Sequence, residues 1–223
     1  QVNFYTRPAN NLLICIGNHW PARIGGVLES EPYRMLAGET LAYWMTRIQD
    51  IFAERAVAQG IADSKGTAVP PPVLVMGDFN DEPLNRSLTN YALAERTEDK
   101  VKSRRSRKPY LLNLMWPLMG SGQMTYAYDG TPHILDQFLV NRGLLDEESS
   151  LRLARVSVAG KRVPYVGIVK FEDTAQGSRG TPKRFGRPAK ASRFDPDGFS
   201  DHFPIAMKIL EQPAQAQRLR WAA

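Results

Sequence analysis

Two short apolar runs in this chain stop in the same way. Asn11 to Ile16 ends at Gly17, Asn18 and His19, and Val73 to Met76 ends at Gly77, Asp78 and Asn80. Short apolar runs bounded by turn residues read as buried strands. Between them, Leu41, Met45, Ile48 and Phe52 recur at helical spacing and predict an amphipathic helix over about Glu31 to Gln59. Ser30 suits its cap, Glu29 and Glu31 suit the positive end of the helix dipole, and Gly60 suits its stop. Strand, helix, strand is a crossover unit, which brings both polar strand ends to one edge of a sheet. In open α/β sheets ligands sit beyond the carboxyl ends of strands, so Asp78 and Asn80, on either side of Phe79, face a candidate site. GDFND is also ordinary turn chemistry, and only its context favours a site over a turn.

Further along, Gly60 to Pro72 reads as a surface connection, and about Leu84 to Leu93 as a short helix. The run Lys100 to Lys108, KVKSRRSRK, reads as a solvated basic loop. An aromatic and Met-rich stretch, Tyr110 to Tyr128, precedes a strand at His133 to Val140, HILDQFLV, interrupted by Asp136. Burying a lone carboxylate costs several kcal/mol, so Asp136 requires a partner. Leu151 to Val158 and Val163 to Val169 read as further strands, and Arg179 to Arg193 as a second basic loop. The last strand, Phe203 to Ile209, is entered through Ser200, Asp201 and His202. No internal repeat interrupts this order, which reads as one domain over residues 1–210 and a tail over 211–223.

Composition narrows the class. With 223 residues and 43% hydrophobic content the chain can bury a full core, which argues against disorder. No apolar run approaches the roughly 20 residues that cross a bilayer, and QVNFYTRPAN lacks the pattern of a signal peptide. Cys15 is the only cysteine and lies in an apolar strand, so it reads as a core residue and supports no disulfide framework or zinc knuckle. The compartment stays undetermined. A net charge of +6 leans toward a polyanionic partner without specifying one. The first residue is Gln, which suggests a cleaved product or a piece of a longer protein.

A single His or Asp at a strand end is more often structural than catalytic, but its repetition at each strand end points to a site. The motifs NHWPAR, GDFND, LDQFLV and SDHFP, in that order, resemble the endonuclease/exonuclease/phosphatase superfamily. Its members include DNase I-like nucleases, abasic-site endonucleases, inositol polyphosphate phosphatases and sphingomyelinases. The resemblance runs from Leu12 to Ile209, with an ESEPYR helix start after the first motif as in similar bacterial members. It implies a DNase I-like four-layer α/β sandwich and metal-dependent hydrolysis of phosphate esters. By the same resemblance His19 stabilises or protonates the phosphate, while Asp78 and Asn80 position the attacking water and contact metal or phosphate. Asp201 is implied as a metal ligand, and Asp136 as the partner that orients His202, the base or transition-state stabiliser. Arg23, closing NHWPAR, is the expected phosphate contact, since a guanidinium fork matches phosphate oxygens.

The chemistry is coherent on its own terms. Phosphate ester hydrolysis needs an in-line water, a base, and positive charge on the developing anion. Oxygen donors such as Asp78, Asn80 and Asp201 select a hard cation, Mg²⁺ or Mn²⁺ as a substitute, over zinc. Ser200, Asp201 and His202 cannot form a serine-hydrolase triad, because consecutive strand residues do not face one point. The family also carries an Asn and a metal-binding Glu on strands upstream of its NHW motif, and neither motif precedes Asn11. The expectation is therefore a domain incomplete at its N-terminus and a weak enzyme by itself. Nucleic acid is the expected substrate because of the two basic loops. Inositol phosphates or phospholipids, or a non-catalytic phosphate-binding role, are the alternatives.

Overall fold

The computed structural model describes residues 1–7, 9–58, 70–103, 106, 108–147, 149–171, 176–177, 180–186 and 195–211. In chain order the elements are β1 (Val2–Tyr5), β2 (Leu12–His19), α1 (Val27–Ala58), β3 (Val73–Asp78), β4 (Ala94–Glu95), α2 (Glu98–Lys102) and β5 (Leu111–Asn113). There follow β6 (Tyr126–Tyr128), β7 (Thr131–His133), β8 (Asp136–Val140), α3 (Arg142–Leu145), β9 (Leu151–Leu153) and β10 (Arg155–Val158). The last are β11 (Lys161–Pro164), β12 (Val166–Ile168), β13 (Ile205–Met207) and β14 (Ile209–Glu211).

A six-stranded mixed sheet in the order β1-β2-β3-β8-β5-β4 organises the α/β fold. Strands expose alternate residues to opposite faces, and here both faces are covered. Leu12, Ile14, Val73, Val75, Leu111 and Leu139 face one core, which α1 closes with Leu41, Met45, Ile48 and Phe52. Cys15, Leu74, Leu112, Phe138 and Val140 face a second core with Val101, Leu144, Leu151 and Leu153, packed by Val166, Ile168, Ile205, Met207 and Ile209. Helix α1 thus covers one face of the main sheet, and the short β9–β14 and β12–β13 pairs pack on the other. Continuous apolar runs in β2 and β3 follow from this double burial.

The crossover unit is as expected: β2 and β3 are parallel and joined through α1. Helix α1 starts earlier than its pattern suggests, at Val27, so Ser30 lies inside it. Its Oγ donates back to the Gly26 carbonyl at 2.6 Å, which corrects its reading as a cap. Gly60 lies outside the described residues, as does most of Gly60 to Pro72.

The remaining corrections have local causes. His133 to Val140 is two strands, because β6 and β7 form a hairpin and β8 belongs to the main sheet. Leu151 to Val158, Val163 to Val169 and Phe203 to Ile209 each divide likewise between neighbours in different small sheets. The stretch Leu84 to Leu93 holds only a π-helical turn, Ser87–Tyr91. Lys100 to Lys102 end α2 instead of opening a loop, with Val101 buried and Lys102 Nζ 2.5 Å from Glu98 Oε2. Arg104, Arg105 and Arg107 lie outside the described residues. Glu211, assigned to the tail from sequence, closes β14 and accepts hydrogen bonds from Thr6 and Asn11 near the start of the chain.

Candidate active site

Sheet register brings the chemistry together. Parallel pairing of β2 with β3 sets His19 opposite Asp78, and antiparallel pairing of β3 with β8 sets Asp78 opposite Asp136. Since β8 runs the other way, its first residue lies at the same sheet end as the last residues of β2 and β3. His202 joins from the segment before β13, which bridges to Tyr126. His202 Nδ1 lies 2.6 Å from Asp136 Oδ2, so the strand carboxylate has the partner its burial demands. Asp78 Oδ2 stands between two imidazoles, 3.7 Å from His19 Nε2 and 3.9 Å from His202 Nε2.

The turn after β3 is shaped for this arrangement. Gly77 has φ 135°, and a Cβ there would lie 2.0 Å from the Asn18 carbonyl oxygen, so only glycine lets β3 lie this close to β2. Asn80 adopts φ 50°, a conformation Asn tolerates better than most residues. Its backbone N–H donates to Asp78 Oδ1 at 2.8 Å, and its Nδ2 donates to the Trp20 carbonyl at 2.9 Å and to Asp78 Oδ2 at 3.2 Å. Phe79 points into the core, edge-on to Trp20 at 4.8 Å between ring centroids. Asn18 serves Trp20, accepting its indole N–H at 3.2 Å.

Electrostatics pull the groups apart in useful directions. Burial raises the Asp78 carboxyl above its ordinary range, and the negative charge of Asp136 adds to this. The Asn80 hydrogen bond and both imidazoles oppose the rise without cancelling it. Burial alone would depress His202, but the hydrogen bond and charge of Asp136 outweigh it, helped by Asp78 and Asp201, so the imidazole holds its proton to higher pH than usual. One face of that ring packs on Tyr126 at 4.7 Å, and the Arg184 guanidinium lies over the same tyrosine at 5.3 Å while donating to the Ala127 carbonyl.

His19, Asp78, Asn80, Asp136 and His202 are therefore gathered as expected, and two expected residues stand differently. Asp201 is exposed, and its contribution here is its charge near His202. Arg23, partly exposed, is engaged within the protein: its Nε donates to the Asn80 carbonyl at 2.7 Å and its Nη2 to Asp81 Oδ1 at 3.2 Å. Three supporting residues had not been singled out from sequence. Thr125 Oγ1 accepts the N–H groups of Leu135 and Asp136 and so fixes the start of β8. Asp81 and Arg34 are fully buried and paired, Nε to Oδ2, at 2.8 Å. Arg34 precedes Leu41 by two helical turns, so its place on the apolar face of α1 was a readable signal.

The donor set is rich in oxygen, as a hard cation requires. Even so, no group of three His, Cys, Asp or Glu side chains able to hold a metal gathers among the described residues. Asp78, Asn80 and Asp201 are the oxygen donors available to a metal shell.

Among solved structures the chain resembles the human Nocturnin catalytic domain with bound sulfate, at 17% identity and a TM-score of 0.36, covering 71% of this chain and 44% of that one. It thus spans less than half the length of that solved chain. No curated protein matches. A sequence model described as the endonuclease/exonuclease/phosphatase family matches residues 4–211, which takes in the end of β1 and every element from β2 to β14. The chain therefore belongs to the endonuclease/exonuclease/phosphatase family, whose hydrolases act on phosphate esters and generally use divalent metals.

Proposed function

We propose that this site hydrolyses phosphodiester bonds and that its substrate is nucleic acid. The carrying observation is the Asp78 carboxylate between two imidazoles, one of them held by Asp136, which favours its charged form. A carboxylate with raised proton affinity is suited to take the proton of an attacking water. As the water oxygen bonds to phosphorus, the bond to the leaving oxygen breaks, and that oxygen takes a proton from the His202 imidazolium. His19, exposed on the other side of Asp78, offers a second donor to the phosphate oxygens. Both N–H groups of the Asn80 amide are engaged, so its acceptor oxygen is what it has to offer a water or cation. Mg²⁺, with Mn²⁺ as a substitute, is the cation that Asn80 and Asp201 would contact, adding positive charge on the phosphate while Asp78 serves the water.

Arg184 supports a polynucleotide, since it sets a guanidinium one aromatic ring away from His202, where a flanking phosphate would need a contact. A phospholipid or other apolar ester is the second reading. It is favoured by a groove of about 740 Å³ that runs from His19 along Tyr33, Leu36 and Trp44. The test compares oligonucleotides with phospholipid vesicles as substrates in Mg²⁺, and measures oligonucleotide affinity against salt. Turnover of the oligonucleotide with a steep salt dependence is expected. Turnover of phospholipid alone would replace the nucleic acid assignment with the second reading.

A further inference from the structure

Behind the site lies a charged cluster that the hydrolytic step does not use. Asp81 and Arg34 are both fully buried, with Arg34 Nε 2.8 Å from Asp81 Oδ2. Ser87 Oγ donates to the same oxygen at 2.6 Å, and Arg23 Nη2 to Oδ1 at 3.2 Å. Arg34 is itself held by the Val27 carbonyl at 3.0 Å and Ser30 Oγ at 2.7 Å. The backbone on either side is gripped as well: Arg23 Nε donates to the Asn80 carbonyl at 2.7 Å, and Gln137 Nε2 to the Asp81 carbonyl at 2.5 Å. Gln137 is oriented in turn by Asn113, whose Nδ2 donates to Gln137 Oε1 at 2.6 Å.

Such a cluster is a poor device for stability alone, because replacing a buried ion pair by apolar side chains of similar volume is often neutral or stabilising. Its contacts bracket Asn80 and Asp81, with Arg23 on the carbonyl of the first and Gln137 on that of the second. At Asn80 the backbone is in the left-handed region, and the Asn80 side chain bonds both Trp20 and Asp78. A residue in that conformation persists when its surroundings over-determine it. We propose that Asp81 and Arg34 are positioning residues, which act through Asn80 by clamping its backbone so that its amide stays aligned on Asp78. Without the clamp, the Asn80 peptide relaxes, and its side chain leaves Asp78 and Trp20.

The test is the double variant Arg34→Met with Asp81→Leu, which removes both charges and leaves Asn80 untouched. Two readouts are taken after a thermal melt confirms folding. In ¹⁵N-asparagine-labelled protein, the Asn80 side-chain amide signals should shift and exchange with solvent at least about tenfold faster as their hydrogen bonds open. In the hydrolytic assay kcat should fall about 10- to 100-fold while KM stays within about twofold, as expected when a group that works in the transition state is misplaced. Only the kinetic readout rests on the hydrolase reading. Moved amide signals in a protein that hydrolyses nothing would keep the clamp and overturn that reading. A folded double variant with unmoved Asn80 signals would overturn the clamp and leave the cluster a structural ion pair. If the double variant does not fold, Arg23→Met, at a partly exposed position, removes the bond to the Asn80 carbonyl and is judged by the same two signals.

Discussion

Asp136 Oδ2 and His202 Nδ1 lie 2.6 Å apart although 66 residues separate them in the chain. The bond joins the first residue of a central strand to the segment before β13, and it fixes which imidazole nitrogen faces Asp78. A carboxylate so placed holds the ring's orientation and favours its charged form.

Removing that charge should show in the rate. Asp136→Asn is expected to lower kcat by about 10²-fold or more, the usual scale for losing a positioned acid or base. Because His202 loses what raises its proton affinity, the alkaline limb of the rate profile should move to lower pH. A pH–rate series on wild type and variant measures both. An unmoved alkaline limb would remove His202 from the role of acid.

Stability should follow the same titration. The folded His202 holds its proton more tightly than an imidazole with the ordinary value of 6.5, so the unfolded state releases it first as pH rises. Its contribution is therefore full below about pH 6.5 and is lost as pH climbs through the raised folded value. Urea denaturation of wild type and His202→Asn should show their gap widest in mildly acid solution and narrower in alkaline solution. A gap that grew with pH would reverse the sign of the coupling.

Gly77→Ala tests the turn. With φ 135° and a Cβ 2.0 Å from a backbone carbonyl oxygen, the new methyl forces β2 and β3 apart. A loss of at least about 2 kcal/mol in unfolding free energy is expected, from strain and lost strand pairing. Since His19 and Asp78 are register partners across that pair, activity should fall as well. Chemical denaturation and one rate measurement suffice to check it.

Arg184→Glu separates substrate classes. If Arg184 touches a flanking phosphate, the variant should bind oligonucleotides more weakly, with the slope of log affinity against log salt shallower by about 1. Turnover of a small phosphodiester, which has no flanking phosphate, should be spared. Equal loss on both would make Arg184 a support for Tyr126 and His202 instead.

The sequence by itself determined the crossover unit, the strands β2, β3 and β8 with their polar ends, and the need of Asp136 for a partner. These were legible because they depend on local quantities: the apolar period, the abrupt change from apolar to polar at Gly17 and Gly77, and the cost of a lone buried charge. It also held, in the order of its motifs, the four residues that gather around Asp78. The tertiary structure alone decided how they are held. Apolar period shows which face of a helix is inward but not how deep a polar residue on that face lies, so Arg34 became intelligible only when Asp81 met it from another element. Arg23 looked outward in sequence because a guanidinium suits phosphate, yet the folded loop offered it the Asn80 carbonyl and Asp81 first. The division of His133 to Val140 likewise depended on which strands lay alongside, β6 for one part and β3 for the other. Strand boundaries and buried charge pairs are set by partners distant in the chain, and a local pattern carries no record of them.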